Sequence, residues 1–356
     1  MMKPCLPAAV LCMGVAASLS AAESGPTPQA VRGAVERALP LIRKGGAGHM
    51  AHRTCFACHN QAIPVFALTA ARSRGLPVDG EEIQKHLRFI AAFLDRNRAN
   101  YRKGEGQGGQ VDTAGYALWT LEQGGWQPDA TTAAVAEYLL LRDRDRDHWR
   151  VTANRPPSEA SPFTATFVAI RGLETFATAA QKERLARRLR TVRGWLAKTA
   201  AQDTEDRVFR LWALKAVGAG GPEVRAAARE LARAQRPDGG WAQRAALKSD
   251  AYATGTALVA RRRAAGLAAD DPAYRRGVRY LLGTQLRDGT WHVCSRSRPF
   301  QAYFESGFPY GKDQFISLAA SSWAATALAL ALPPAKGSPG PAPRAKAGRA
   351  GSARKN

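Results

Sequence analysis

Apolar residues recur at three- and four-residue spacing along most of the chain, which predicts helices rather than strands. Residues 31–43 form one such run, closed by Lys44-Gly45-Gly46 as a stop signal, and 62–74 form a second, ended by Gly75. The same pairing recurs as 82–96 with 112–123, 131–141 with 162–178, and 181–198 with 206–217. It continues as 223–235 with 250–265 and 272–285 with 314–332. In the later pairs the first helix is rich in Arg, Lys and Glu, while the second is mostly Ala, Thr, Leu and aromatics. A half-polar helix faces water on one side, and a mostly apolar one is surrounded by protein. Alternation of the two kinds predicts an outer and an inner ring, and six pairs without a capping repeat favour closure over an open solenoid. The expected fold is all-α, a closed α/α toroid. The apolar stretch near 315–333 carries Ser317, Ser321, Ser322 and Thr326, which argue for a buried helix rather than a membrane span.

Two joints between helices are nearly identical. Gln235-Arg236-Pro237-Asp238-Gly239-Gly240-Trp241 is matched fifty residues on by Gln285-Leu286-Arg287-Asp288-Gly289-Thr290-Trp291, with a degenerate copy at Glu122-Gln123-Gly124-Gly125-Trp126. Asp-Gly makes a tight turn, Gln can bond exposed backbone at a helix end, and Trp is a large packing anchor. These joints resemble the repeats of squalene/hopene cyclases and of protein prenyltransferase β subunits. The resemblance covers roughly residues 84–332 as architecture and implies a toroid whose apolar cavity takes an isoprenoid or similar lipid. The Asp-x-Asp-Asp acid motif of the triterpene cyclases is missing: Asp143, Asp145 and Asp147 alternate with arginines before His148 and read as a solvated loop. Those cyclases also have two helical domains, and this chain has length for one. Prenyltransferases hold zinc with Asp, Cys and His, types that Asp250, Cys294 and His292 supply without a clear alignment.

Composition changes the picture at the two ends. Lys3, an apolar run over 7–19 and Ser20-Ala21-Ala22 read as a secretory signal over 1–22, which predicts a periplasmic or otherwise extracytoplasmic protein. Residues 334–356 hold six Lys and Arg, no acid, and much Pro, Gly and Ala, and read as a disordered basic tail. Formal net charge is +23; setting aside those six and Lys3 leaves +16 on the body. Such a balance suits an anionic membrane surface or an acidic redox partner protein, and export argues against nucleic acid.

With Cys5 and Cys12 in the signal, Cys55, Cys58 and Cys294 remain, an odd set that does not suit a disulfide framework. Cys55-Phe56-Ala57-Cys58-His59 has the Cys-x-x-Cys-His spacing of a c-type haem attachment site, in which two thiols join the haem vinyl groups and the histidine reaches iron. A thioredoxin-like pair would want a βαβ setting, and half a zinc site would want a second Cys or His pair; neither is present. The expectation is one covalent haem c on segment 23–80, with the toroid over 81–333. Connections from outer to inner helices share a rim, so the haem loop (45–60), 97–111, 142–161 and 286–313 should meet, while His86 should lie at the opposite end. Ring closure makes the long 286–313 loop a neighbour of the haem loop, and long loops are usually functional. His292 is the first candidate for the distal iron ligand, before Met50, His49, His52 and His148, with Arg296 or Arg298 for the propionates and Glu305 and Asp313 as acids at the mouth. Electron transfer is the leading functional expectation. The alternatives are haem-dependent oxidation of an apolar ligand, a cyclase- or transferase-like protein without the usual acid motif, and a binding protein of the envelope.

Overall fold

A computed structural model describes residues 25–298 and 301–335. The signal expected over 1–22 and nearly all of the basic tail lie outside the described residues. Among the described residues thirteen α-helices run α1 Pro28–His52, α2 Ile63–Arg72, α3 Gly80–Asp95, α4 Arg98–Lys103, α5 Gln110–Gln123, α6 Ala130–Leu141 and α7 Pro162–Phe176. They continue as α8 Lys182–Lys198, α9 Thr204–Ala216, α10 Gly221–Arg233, α11 Ala251–Arg263, α12 Pro272–Thr284 and α13 Gln314–Ala331. Among the described residues the only β structure is two isolated bridges.

Helices α2, α5, α7, α9, α11 and α13 pack in that order, and α13 returns to pack on α2 and α1. The ring is closed. Its inner helices are buried almost throughout: in α11 every residue from Ala251 to Arg261 is buried. Outer helices bury one stripe only, as in α10 with Val224, Ala227 and Leu231. The amphipathic split read from the sequence is therefore the split between the two rings. The segment Gly311–Ala331 is long and apolar enough to cross a membrane, yet 83% of its most apolar window is buried inside the ring.

One expected boundary fails for a packing reason. Helix α1 does not stop at Gly45-Gly46 but continues to His52. A Cβ at Gly45 would stand 2.7 Å from Leu318, and one at Gly46 would stand 2.9 Å from His86. These glycines let α13 and α3 approach the helix closely, which outweighs their low helix propensity. The connection to α2 shrinks to a short loop followed by a π-helical turn, Cys58–Ala62.

The joints act as latches. Trp241 Nε1 donates to the Leu231 carbonyl (2.8 Å) and Trp291 Nε1 to that of Leu281 (2.9 Å), each clamping its indole over the preceding outer helix. The Gln235 amide donates to the carbonyls of Gly239 and, in α12, Ala273, both at 2.8 Å. Gln285 repeats this across the seam, donating to Gly289 (2.9 Å) and to Ala34 of α1 (2.8 Å), while Arg37 of α1 donates to its side-chain oxygen (2.6 Å). Each glutamine thus ties its own turn to the next outer helix, and the last one ties the ring shut. The third tryptophan of this kind is Trp149, not Trp126. Its Nε1 donates to the Leu139 carbonyl (2.8 Å), and its amide to the Thr166 hydroxyl (3.2 Å), as Trp241 does to Thr254 (2.9 Å). The Trp126 indole instead donates to Asp129, three residues on (2.9 Å).

Candidate functional site

Connections from outer to inner helices do meet on one rim, where they enclose a cavity with an empty volume of about 1240 Å3, mouth included. One wall comes from His49 and the segment Cys55–His59, a second from Thr113 and Arg155–Glu159, and the third from Ser295, Ser297, Arg298 and Gln301–Phe304. Phe315, Ile316 and Ala319 of α13 form its apolar side.

Local contacts set each wall. The loop after α1 is pinned by His49, whose Nε2 pairs with the Cys55 carbonyl at 2.7 Å, and by Arg96, which donates to the Thr54 carbonyl at 2.6 Å. Burial lowers the His49 pKa, so its ring is neutral and donates to that carbonyl. Phe304 lies among His49, His52 and Phe315, with ring centroids 5.7, 5.9 and 5.4 Å away, and the Arg53 guanidinium covers it at 4.5 Å. Its backbone is held by Gln314, whose amide donates to the Phe304 carbonyl (3.1 Å) and whose oxygen accepts from the Ser306 amide (2.7 Å). The opposite wall is a tight turn in which Arg155 and Glu159 exchange backbone hydrogen bonds and pair through their side chains.

The electrostatics behind these walls are unusual for so basic a protein. Asp112, 1% exposed at the start of α5, has no hydrogen-bond partner on either carboxylate oxygen among the described residues. Burial, with Glu159 adding to it, pushes its pKa well above the ordinary carboxylate value and favours the protonated form. Glu159 is raised by burial and opposed by Arg155. The Cys58 thiol, 3% exposed, is pushed up by burial, with the neighbouring carboxyl of Glu159 adding to it. Further in, Glu205 is also raised well above its ordinary value by burial, and accepts from Thr164 (3.2 Å) and Tyr252 (3.3 Å). Composition hides this cluster, because three acids scattered over some ninety residues show no spacing. The one sequence signal for Asp112 is its position at the start of an apolar helix, outside any Asp-x-Asp-Asp string.

No protein-family model matches the chain, and no curated protein matches it. Solved structures do. The type II terpene cyclase MstE from Scytonema, in a variant bound to geranylgeranyl dihydroxybenzoate as substrate, superposes with a TM-score of 0.55 at 13% identity, covering 85% of this chain and 98% of that one. Another MstE variant, in complex with merosterolic acid A as product, gives 0.54 at 14% identity, covering 85% and 97%. The ent-copalyl diphosphate synthase of Streptomyces platensis gives 0.50 at 18% identity, over 76% of this chain and 50% of that one. The chain therefore has the α/α toroid fold of the type II terpene cyclases. At these identities the likeness is one of fold alone.

That finding corrects the expectation of a c-type haem protein dedicated to electron transfer. The Cys-x-x-Cys-His string is present, but it serves as the wall of a toroid cavity in a cyclase fold. Cys58 is a buried, protonated thiol engaged with Glu159 rather than a free one on an open loop. The His59 ring packs edge-on to Phe315 (5.2 Å), and burial lowers its pKa to about 3. His292, expected opposite the iron, is not part of the cavity wall. Its ring stacks on Tyr310 at 4.6 Å and its Nε2 meets Asp313 at 3.0 Å. A His/Cys/Asp cluster elsewhere on the rim is a different kind of site: His292, Cys294 and Asp313 bring their ligand atoms within 4.8 Å of one another. The acid is not Asp250, which caps α11 by accepting from the Ala253 amide (2.9 Å).

The remaining candidates fall as follows. His52 touches Phe304, and Met50 is half-buried on the same helix. His148 pairs with Asp147 and stacks on Trp195, away from the cavity. His86 does not sit at the far end but packs against Gly46, and burial lowers its pKa to about 4. Arg298 lines the cavity, and with Arg155, Arg244 and Arg296 also lines a groove beside it. Glu305 receives the Tyr303 hydroxyl at the exposed edge.

Proposed function

We propose that the protein binds an isoprenoid-like apolar molecule in the rim cavity and transforms it by protonation, as a terpene-cyclase-like protein without the usual acid motif. The observation that carries this reading is Asp112, a buried carboxyl group without a hydrogen-bond partner among the described residues, set behind the cavity wall formed by Cys58, Thr113 and Glu159, where burial raises its pKa. A neutral carboxylic acid in a dry site is a strong proton source for an alkene, because water does not compete for the proton. Glu159, on the cavity surface, is placed to pass that proton on or to face the cation that forms. Aromatic faces at Phe304, Phe315 and Phe56 suit a positive charge developing on a hydrocarbon. Support also comes from MstE, which shares the fold and has been solved with a geranylgeranyl substrate.

The test is incubation of the purified chain with C15 and C20 prenyl alcohols and prenylated benzoates, with products read by mass spectrometry and binding by tryptophan fluorescence. Asp112→Asn should cut turnover by about 100-fold or more while binding persists. Turnover that survives Asp112→Asn, or a chain that binds no prenyl compound, ends the proposal. We also propose that the chain is exported, on the strength of its N-terminal sequence; a mature N-terminus beginning with Met1 would refute that.

A further inference from the structure

We propose that His292, Cys294 and Asp313 bind a divalent transition-metal ion of the zinc class, with one coordination position left open at the edge of the cavity mouth. The inference stands on the loop itself and does not depend on the acid chemistry above.

The loop after α12 is built to present these side chains. Val293 is buried, and both its amide and its carbonyl are tied to the Ser317 hydroxyl of α13 (3.0 and 3.1 Å). Trp291 is fixed in the same way to Ser321, its amide donating at 3.0 Å. In an extended segment alternate residues point to opposite sides. Holding Trp291 and Val293 inward therefore turns His292 and Cys294 outward together, toward the first turn of α13. Asp313 arrives there from the other side and is itself oriented: one oxygen takes the Ser295 amide (2.8 Å) and the other meets His292 Nε2 (3.0 Å). The Tyr310 face fixes the plane of the imidazole.

The three ligand atoms lie within 4.8 Å of one another. Ligands about 2.0–2.3 Å from a tetrahedral ion stand roughly 3.3–3.8 Å apart, so modest side-chain rotation closes the set. A thiolate, an imidazole and a carboxylate form the mixed donor set that zinc prefers over magnesium or calcium. Cys294 is exposed and unpaired, so its proton leaves to solvent when metal binds. One thiolate and one carboxylate balance the charge of a divalent ion. The Ser295 amide on Asp313 is the outer contact that metal-binding carboxylates need to stay oriented. Three protein ligands leave a fourth position for water or a ligand oxygen, and Ser295 and Lys312, flanking the cluster, line the cavity.

The experiment uses the full chain, stripped with chelator and titrated with Co2+ and then Zn2+. Expected is a single Co2+ with the charge-transfer absorption of a thiolate ligand, displaced by Zn2+. That band should vanish in Cys294→Ser, and affinity should fall by at least about 10-fold in Asp313→Asn. A band that persists in Cys294→Ser would place the metal at Cys55 and Cys58 and overturn the proposal, as would the lack of stoichiometric binding. Should either variant fail to fold, alkylation of the wild-type chain decides. Zn2+ must slow modification of Cys294, mapped by peptide mass spectrometry, and equal rates with and without Zn2+ sink the site.

Discussion

Asp250 carries two opposed roles in one side chain. It caps α11, its backbone bridges to Trp241 of the joint, and burial raises its pKa to about 6 despite bonds from Ala253 and Gln243. Between the ordinary carboxylate range and about pH 6 the folded chain keeps a proton that the unfolded chain has released. Stability contributed by this residue therefore falls as pH rises through that window and stays low above it. Asparagine preserves the cap, since it accepts the same amide hydrogen bond, and carries no charge to desolvate. Asp250→Asn should raise stability above pH 7 by on the order of 1 kcal/mol, discounted for partial exposure, and leave it unchanged near pH 4. Urea unfolding at both pH values measures this. Single residues were also where reading the sequence went furthest astray. The spacing of Cys55, Cys58 and His59 is a local signal, but burial of a thiol against Glu159, a hundred residues on, has no local trace. Asp112 was equally silent, because its meaning comes from having no partner, and partners are set by the fold.

Helices and their joints were far more legible. Period and charge fixed the number of pairs and which member faces inward, since both follow from burial of one face or of all faces. Asp-Gly followed by Trp marked two latches because turn and anchor are contiguous. The latch at Trp149 escaped notice because its turn is an irregular loop, Arg142–Trp149, with no Asp-Gly in it. Gly45-Gly46 misled in the opposite sense, as glycines kept for close approach of α13 and α3 look like a helix stop. The latch geometry makes a sharp comparison. Trp149→Ala should cost about 3–5 kcal/mol, in line with loss of a fully buried indole, whereas Trp126→Ala should cost under about 1 kcal/mol. Thermal unfolding of the two variants side by side tests it. Equal losses would show that the two tryptophans had been wrongly told apart.

At the scale of the whole molecule, closure was expected from the count of pairs, and the structure supplies its means. The seam between α12 and α1 is held by the Gln285 amide and by Arg37, residues 248 positions apart in sequence. A Cβ at Gly289 would come within 2.1 Å of the Arg37 carbonyl, so the turn and the helix are in close register there. Gln285→Ala should lower stability by about 1–2 kcal/mol and weaken amide-exchange protection first in α1 and α12, on either side of the seam. Loss spread evenly over all outer helices would contradict that. Gln235→Ala, made inside the ring, serves as the matched control.

The Gln285 contact has a mechanical meaning beyond its own energy. A linear stack of hairpins can shed its end unit by losing one neighbour, and its melting begins at the tips. Once the sixth hairpin grips the first, every hairpin is flanked on both sides, and detaching any of them means opening two boundaries at once. Slow, all-or-none escape from the native state then follows from closure by α13 against α1 and α2 together with the Gln285 latch, and a cavity on the rim stays shaped through fluctuations that would splay an open stack.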